Sequence, residues 1–157
     1  MFKSFFVGII LLLTSIAFCS EKETIRDAHG KVVGTATTDG NKTVYRDANG
    51  KVTGTATTNG NKTTYRDSSG RTTGTASENG NRTTFRDSSG KTTGTATTNG
   101  KRTTFREATG ASAGSSTSTG NRTTYRDAHG SIVGTSTTTG SGSTSNQIPP
   151  ILNPTSK

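Results

Sequence analysis

Large apolar side chains are sparse after the first nineteen residues, and they return on a fixed beat. Ile25, Tyr45, Tyr65, Phe85, Phe105 and Tyr125 fall twenty residues apart. The glycines at 30, 50 and 70, at 34, 54 and 74, and at 40, 60 and 80 keep the same register, as do their later counterparts. A constant period of this length marks a repeat architecture. Six units run from Thr24 to Ser143. Within one unit, Lys42-Thr-Val-Tyr-Arg-Asp47 and Lys51-Val-Thr-Gly-Thr-Ala-Thr-Thr58 are rich in β-branched or aromatic residues, which suits strands. Asp47-Ala48-Asn49-Gly50 has the chemistry of a turn, and Asn59-Gly60 is a strong hairpin signal. Each unit thus predicts two strands and two turns. Recurrent Gly and Thr argue against helix.

Charge selects the register of the first turn. A two-residue loop would set Arg46 opposite Lys51, and like charges directly opposed are unfavourable. A three-residue loop, Ala48-Asn49-Gly50 with Gly50 left-handed, sets Asp47 opposite Lys51 instead. That register predicts pairs Tyr45–Thr53 and Thr43–Thr55 on one face, with Arg46–Val52 and Val44–Gly54 on the other. A one-residue slip would exchange the faces.

The expected fold is all-β: tandem 20-residue β-hairpin repeats in an extended antiparallel meander or solenoid-like array. Residues 1–19 are read as a signal peptide, 20–23 as a short segment, 24–143 as the repeats and 144–157 as a flexible tail. Tyr45, Tyr65, Phe85, Phe105 and Tyr125 make a candidate stacking ladder. Arg46, Arg66, Arg86, Arg106 and Arg126 make a basic stripe behind it and are the candidate surface-binding residues. Repeat five departs most, with Glu107 for Asp and Ala111 for the basic residue, so it is expected to be the weakest unit. Ile132 and Val133 in repeat six are read as an apolar terminal cap.

The leader, Met1–Phe18, has a short basic start, an apolar stretch from Phe5 to Leu13 and small residues after it. This is a secretory pattern, too short for a comfortable membrane span. Cys19, the lone cysteine, permits no internal disulfide. It is a candidate lipidation position, but Phe18 is bulky where a small residue is expected, so plain secretion is preferred. Only 25% of residues are hydrophobic, too few in the repeats for an ordinary core. That leaves disorder or a thin array held by ladder hydrogen bonds. The net charge of +9 permits contact with anionic surfaces.

The spacing in Tyr45-Arg46-Asp47-Ala48-Asn49-Gly50-Lys51 and Tyr65-Arg66-Asp67-Ser68-Ser69-Gly70-Arg71 resembles the YD repeats of bacterial Rhs and wall-associated proteins and of teneurins. The resemblance spans most of residues 25–140 and implies hairpin units and a cell-surface setting. Arg precedes Asp where the family has tyrosine, Val or Thr replaces its leucine, and Gly54 and its counterparts are extra. Six units are expected to be too few to enclose a cavity.

Catalytic chemistry finds no asymmetric constellation. His29 and His129 fall in turns, and a repeat array offers the same residues everywhere. No catalytic or metal site, no cofactor and no enzymatic activity are expected. Asn41, Asn61, Asn81 and Asn121 begin Asn-x-Thr triplets, for which turn chemistry is preferred over glycosylation. Thr-x-Thr elements such as Thr35–Thr37 and Thr55–Thr57 resemble the ranks of ice-binding β-solenoids. The expectation is a secreted, periplasmic or cell-surface structural or adhesive module. Its partners would be an anionic glycan, lipopolysaccharide or a second copy bound through sheet edges, with no specific nucleic acid. Ice binding and a disordered Thr/Gly/Ser-rich segment are the alternatives.

Overall fold

Asp and Gly at the two ends of the first turn shape the hairpins of every repeat but the fifth, which has Glu107 in place of Asp. The computed structural model describes residues 20–140; the leader with Cys19 and the tail at 144–157 lie outside them. In repeat two, the Asp47 amide donates to Lys51 O at 2.9 Å and Gly50 N donates to Asp47 O at 3.0 Å. Gly50 has φ +82°, a conformation that suits glycine. The three-residue loop is therefore present. Asp47 Oδ1 accepts the amides of Asn49 and Lys51 at 2.9 and 3.0 Å, so the carboxylate organises the turn through the backbone. The second turn lies one residue later than its Asn-Gly signal. Asn59 pairs with Lys62, leaving Gly60-Asn61 as the two-residue loop.

Twelve strands result: β1 Glu21–Asp27, β2 Val32–Asp39, β3 Lys42–Asp47, β4 Val52–Asn59, β5 Lys62–Asp67, β6 Thr72–Asn79, β7 Arg82–Asp87, β8 Thr92–Asn99, β9 Arg102–Glu107, β10 Ser112–Thr119, β11 Arg122–Arg126 and β12 Ile132–Thr139. Glu21–Glu23 belong to β1 rather than to a separate segment. The ladder occupies these residues in place of the disorder that low hydrophobicity allowed.

The register departs from expectation after Arg46. Arg46 pairs with Val52 as expected, but Tyr45 pairs with Gly54 and Thr43 with Ala56, because a bulge leaves Thr53 out of the ladder. The faces of the even strands are thereby exchanged. Thr43, Tyr45, Gly54 and Ala56 are buried on the inner face; Lys42, Val44, Arg46, Thr55 and Thr57 share the outer one. Gly54, which follows the bulge, lies against the next hairpin. A Cβ built there would lie 2.5 Å from Arg66 O on β5, so only a glycine lets the two backbones approach so closely.

The sheet closes on itself. Neither an open meander nor a solenoid forms: β1 pairs with both β2 and β12, completing a twelve-stranded antiparallel barrel. The reason lies in the register. Crossing from Ile25 to Gly34 and on to Asp47 advances two residues in the repeat frame, since Tyr45 is the counterpart of Ile25. Six such steps give a shear of ~12 for twelve strands and a strand tilt in the usual ~35–45° range. The step is even, so each inward position stays inward. At the seam Ile25 pairs with Ser136 and Asp27 with Gly134. Inside the chain Tyr45 pairs with Ala36 and Asp47 with Gly34. The seam repeats the internal joint. Six units therefore suffice to enclose an interior, correcting the expectation that they are too few. Both terminal strands are paired, so the described barrel has no free edge for self-association. Ile132 caps nothing; it lies on the outside, 45% exposed.

Candidate functional site

Two arrangements carry the functional chemistry, one on the outer wall and one in the interior. On the outside, Arg26, Arg46, Arg66, Arg86, Arg106 and Arg126 are all exposed and form a girdle near the rim that holds the Asp turns. Each Nη1 donates to the carbonyl of the glycine four residues on, from Arg126 to Gly130 O at 2.8 Å up to Arg86 to Gly90 O at 3.1 Å. Arg86 Nη1 also reaches Thr92 Oγ1 at 3.0 Å. This bond fixes the guanidinium over its own turn and leaves its other N–H groups available, since the fork carries five donors. Between the arginines, Asp67 and Asp87 have carboxyls held below the usual range, chiefly by the hydroxyls of Ser69 and Ser89 and further by backbone amides. The predicted basic stripe is thus a ring, and Arg26 extends it to repeat one.

The predicted aromatic ladder faces the interior. Tyr45, Tyr65 and Phe105 pack with Ala36, Ala56, Ala76, Ala96 and Ala113, with Phe85 partly buried against them. The ladder neighbours of Tyr45 are Ala36 and Gly54; large and small residues alternate around the wall, as a closed interior requires. Towards the other rim a hydroxyl layer follows. Thr38 Oγ1 and Thr43 Oγ1 lie 2.9 Å apart, as do those of Thr58 and Thr63 and of Thr98 and Thr103.

The interior is not uniform. Glu23 takes the place that Thr43, Thr63, Thr83, Thr103 and Thr123 hold in the other units. Ser116 and Ser136 take the place of alanine. Closure gathers these departures at the seam. Glu23 is 3% exposed, and its carboxyl is pushed up to about 7 by burial and by Glu21, against a hydrogen bond from Ser136. The Ser136 hydroxyl lies 3.0 Å from Tyr125 Oη. Burial and the charge of Glu23 hold the Tyr125 phenol protonated far above its usual range. On a different strand, β6, burial also raises Glu78, which in turn helps raise Tyr65. Glu78 Oε1 and Glu21 Oε1 are buried without a hydrogen-bond partner. Single-repeat reasoning missed this network; aligning the six units and asking where inward positions change residue type would have located it. Among the described residues no group of three or more His, Cys, Asp or Glu side chains gathers as a metal site, and no helix is long and apolar enough to cross a membrane.

Repeat five carries Glu107 where the other units carry the turn aspartate, and it keeps the backbone bonds of the turn, Glu107 N to Ala111 O at 3.0 Å and Gly110 N to Glu107 O at 2.9 Å. Ala111 N reaches Thr109 Oγ1 at 3.5 Å in place of the aspartate oxygen that takes this amide in the other repeats. The Thr-x-Thr elements point outward. Outward Thr64 on β5 pairs with Thr57 and Thr75 on its two neighbours. Asn41 and Asn81 donate through Nδ2 to Asn59 and Asn99 at 3.2 Å, and Asn61 and Asn121 to backbone carbonyls. These amides tie adjacent turns together at the opposite rim. Compared with protein-family models, curated proteins and solved structures, the chain matches none.

Proposed function

We propose that this protein is a secreted or cell-surface binding module whose arginine girdle engages anionic polymers or surfaces. The observation that carries this reading is the ring itself. Six guanidinium groups at one level of the wall are each fixed by a bond to a turn carbonyl, with donors left over for phosphate or carboxylate oxygens. Guanidinium forks match both groups. A girdle presents the same charge whichever side of the barrel meets the surface, which suits a repetitive anionic partner better than a single small ligand. A solution of residues 20–157 passed over immobilised heparin or lipopolysaccharide tests it. Retention should weaken over about 0.1–0.5 M salt as screening grows, and Arg46→Gln/Arg66→Gln/Arg86→Gln should elute earlier. Retention that ignores salt, or that survives these changes intact, would refute it.

Ice binding is the second reading, and the outward Thr57, Thr64 and Thr75 favour it. The wall on which they sit curves, whereas an ice plane is flat. A thermal-hysteresis measurement on the same material decides it.

A further inference from the structure

The outer wall is polar almost everywhere, but not at the seam. At the start of each even strand the outer residues are Thr72-Thr73, Thr92-Thr93 and Ser112 on the far side of the barrel, Ala113 being buried in the core. They are Ile132-Val133, Val32-Val33 and Val52-Thr53 on β12, β2 and β4. Closure places β12, β1 and β2 side by side, so residues a hundred positions apart in sequence become neighbours. By strand spacing and the two-residue step, Val33 and Ile132 lie roughly 12 Å apart, with the β1 turn between them. Both are 45% exposed, the exposed large hydrophobic side chains of the described residues. The turns on this arc carry Ala28, Ala48 and Ala128, as repeat five carries Ala108, where repeats three and four carry serine.

Basic groups frame the aliphatic arc. Arg126, Arg26 and Arg46 rise between the aliphatic pairs, and Lys31 and Lys51 lie on the turns. Asp127, Asp27 and Asp47 share the rim, but their Oδ1 atoms are turned onto their own turn amides, as in the bonds from His129, His29 and Asn49 at 2.9 Å. Charge complementarity therefore points to an anionic partner, and the aliphatic tips ask for one with an apolar layer beneath its charge.

Building on the girdle reading, we infer that the rim arc of repeats six, one and two docks on an anionic lipid bilayer. The arginines meet the headgroup phosphates, and Val33 and Ile132 enter between the headgroups. This is peripheral docking. A transmembrane barrel presents an apolar outer band, whereas Lys42, Thr55, Arg46 and Thr57 cover this wall.

The test uses residues 20–157, which contain every described strand, in co-sedimentation with vesicles of equal phosphatidylglycerol and phosphatidylcholine and with phosphatidylcholine alone. The chain should bind the first and not the second. Val33→Ser and Ile132→Ser should each weaken vesicle binding about tenfold, the scale of losing one buried aliphatic group, and leave heparin retention unchanged. Thr93→Ser, on the far wall, should alter neither. Circular dichroism confirms that each variant keeps its sheet. Heparin retention without vesicle binding would overturn the inference and leave the girdle reading intact. A Val33- and Ile132-dependent dimer that ignores vesicles would overturn it in favour of a second copy. Loss of both vesicle and heparin binding in the parent chain would overturn both.

Discussion

Gly54→Ala adds one methyl group where the backbone of the next hairpin already sits. The new Cβ would lie 2.5 Å from Arg66 O, against ordinary contact from 3.4 Å. The gap must therefore open by about 0.9 Å, and the obstacle is a carbonyl held in the ladder rather than a pliable side chain. Overpacking of this kind costs ~1–3 kcal/mol. The stiffer unfolded chain of an alanine variant returns ~0.4–1 kcal/mol. The expected net loss is about 1–2 kcal/mol, with added disturbance of Tyr45, which pairs with Gly54. Urea unfolding followed by circular dichroism measures it, as a lower midpoint with little change in slope. Gly94→Ala, on β8, faces Arg106 O at 2.6 Å and should behave alike. The two should add, because the sites share no partners. Thr53→Ala, at the same bulge but outside the close approach, is the control and should change little. A Gly54→Ala chain as stable as the parent would refute the close-approach account of Gly54.

Further outcomes follow from the geometry. Glu23 is protonated more readily in the fold than in the unfolded chain, from 4.5 to about 7. The folded state therefore holds an extra proton between those values, and stability should fall as pH rises through that window, by up to roughly 3 kcal/mol. Glu23→Thr should flatten the profile and stabilise the barrel at pH 8, whereas an unchanged profile would show that Glu23 is not its source. Asp67 and Asp87 act in the opposite sense: their support is present above the usual carboxylate range and lost as acid protonates them. Tyr125→Phe removes the 3.0 Å contact with Ser136 and should cost ~1 kcal/mol in the same urea assay. The 107–111 turn should exchange its amides faster than the 67–71 turn, and Glu107→Asp should slow it. A chain permuted to begin at Asn61, with Gly140 joined to Glu21 so that the loop between paired Thr139 and Lys22 has two residues as in the internal joints, should fold to the same stability, because the seam and the internal joints share one register.

The hairpins were legible because their cause is local. Asp47, Gly50 and Gly60 set the turns through their own backbone chemistry, and alternation put Tyr45 and Arg46 on opposite faces. The need for glycine beside the bulge was not legible, because the backbone that crowds Gly54 is the carbonyl of Arg66 in the next unit, which no reading of one unit contains. Gly54 is extra against the YD spacing, and its purpose appears only across the ladder. Closure followed from the same blind spot. A two-residue step per repeat is invisible in one hairpin and decisive over six. The arginines were correctly placed on one face, yet a stripe on a sheet becomes a girdle only when the sheet closes. The seam network of Glu23, Tyr125 and Ser136 joins the first repeat to the last, where sequence distance hides spatial contact.

Closure is tested most directly by the separation of the two terminal strands. Lys22 and Thr139 are paired residues across the β1–β12 joint, and both are exposed. Spin labels attached through Lys22→Cys and Thr139→Cys, in a chain whose leader and Cys19 are absent, should show strong dipolar broadening at a separation below about 20 Å, since paired strands lie ~5 Å apart and the label arms add the rest. An open twelve-strand sheet would hold the same two sites on the order of 50 Å apart. Spectra without broadening in the folded, monomeric chain would contradict the barrel.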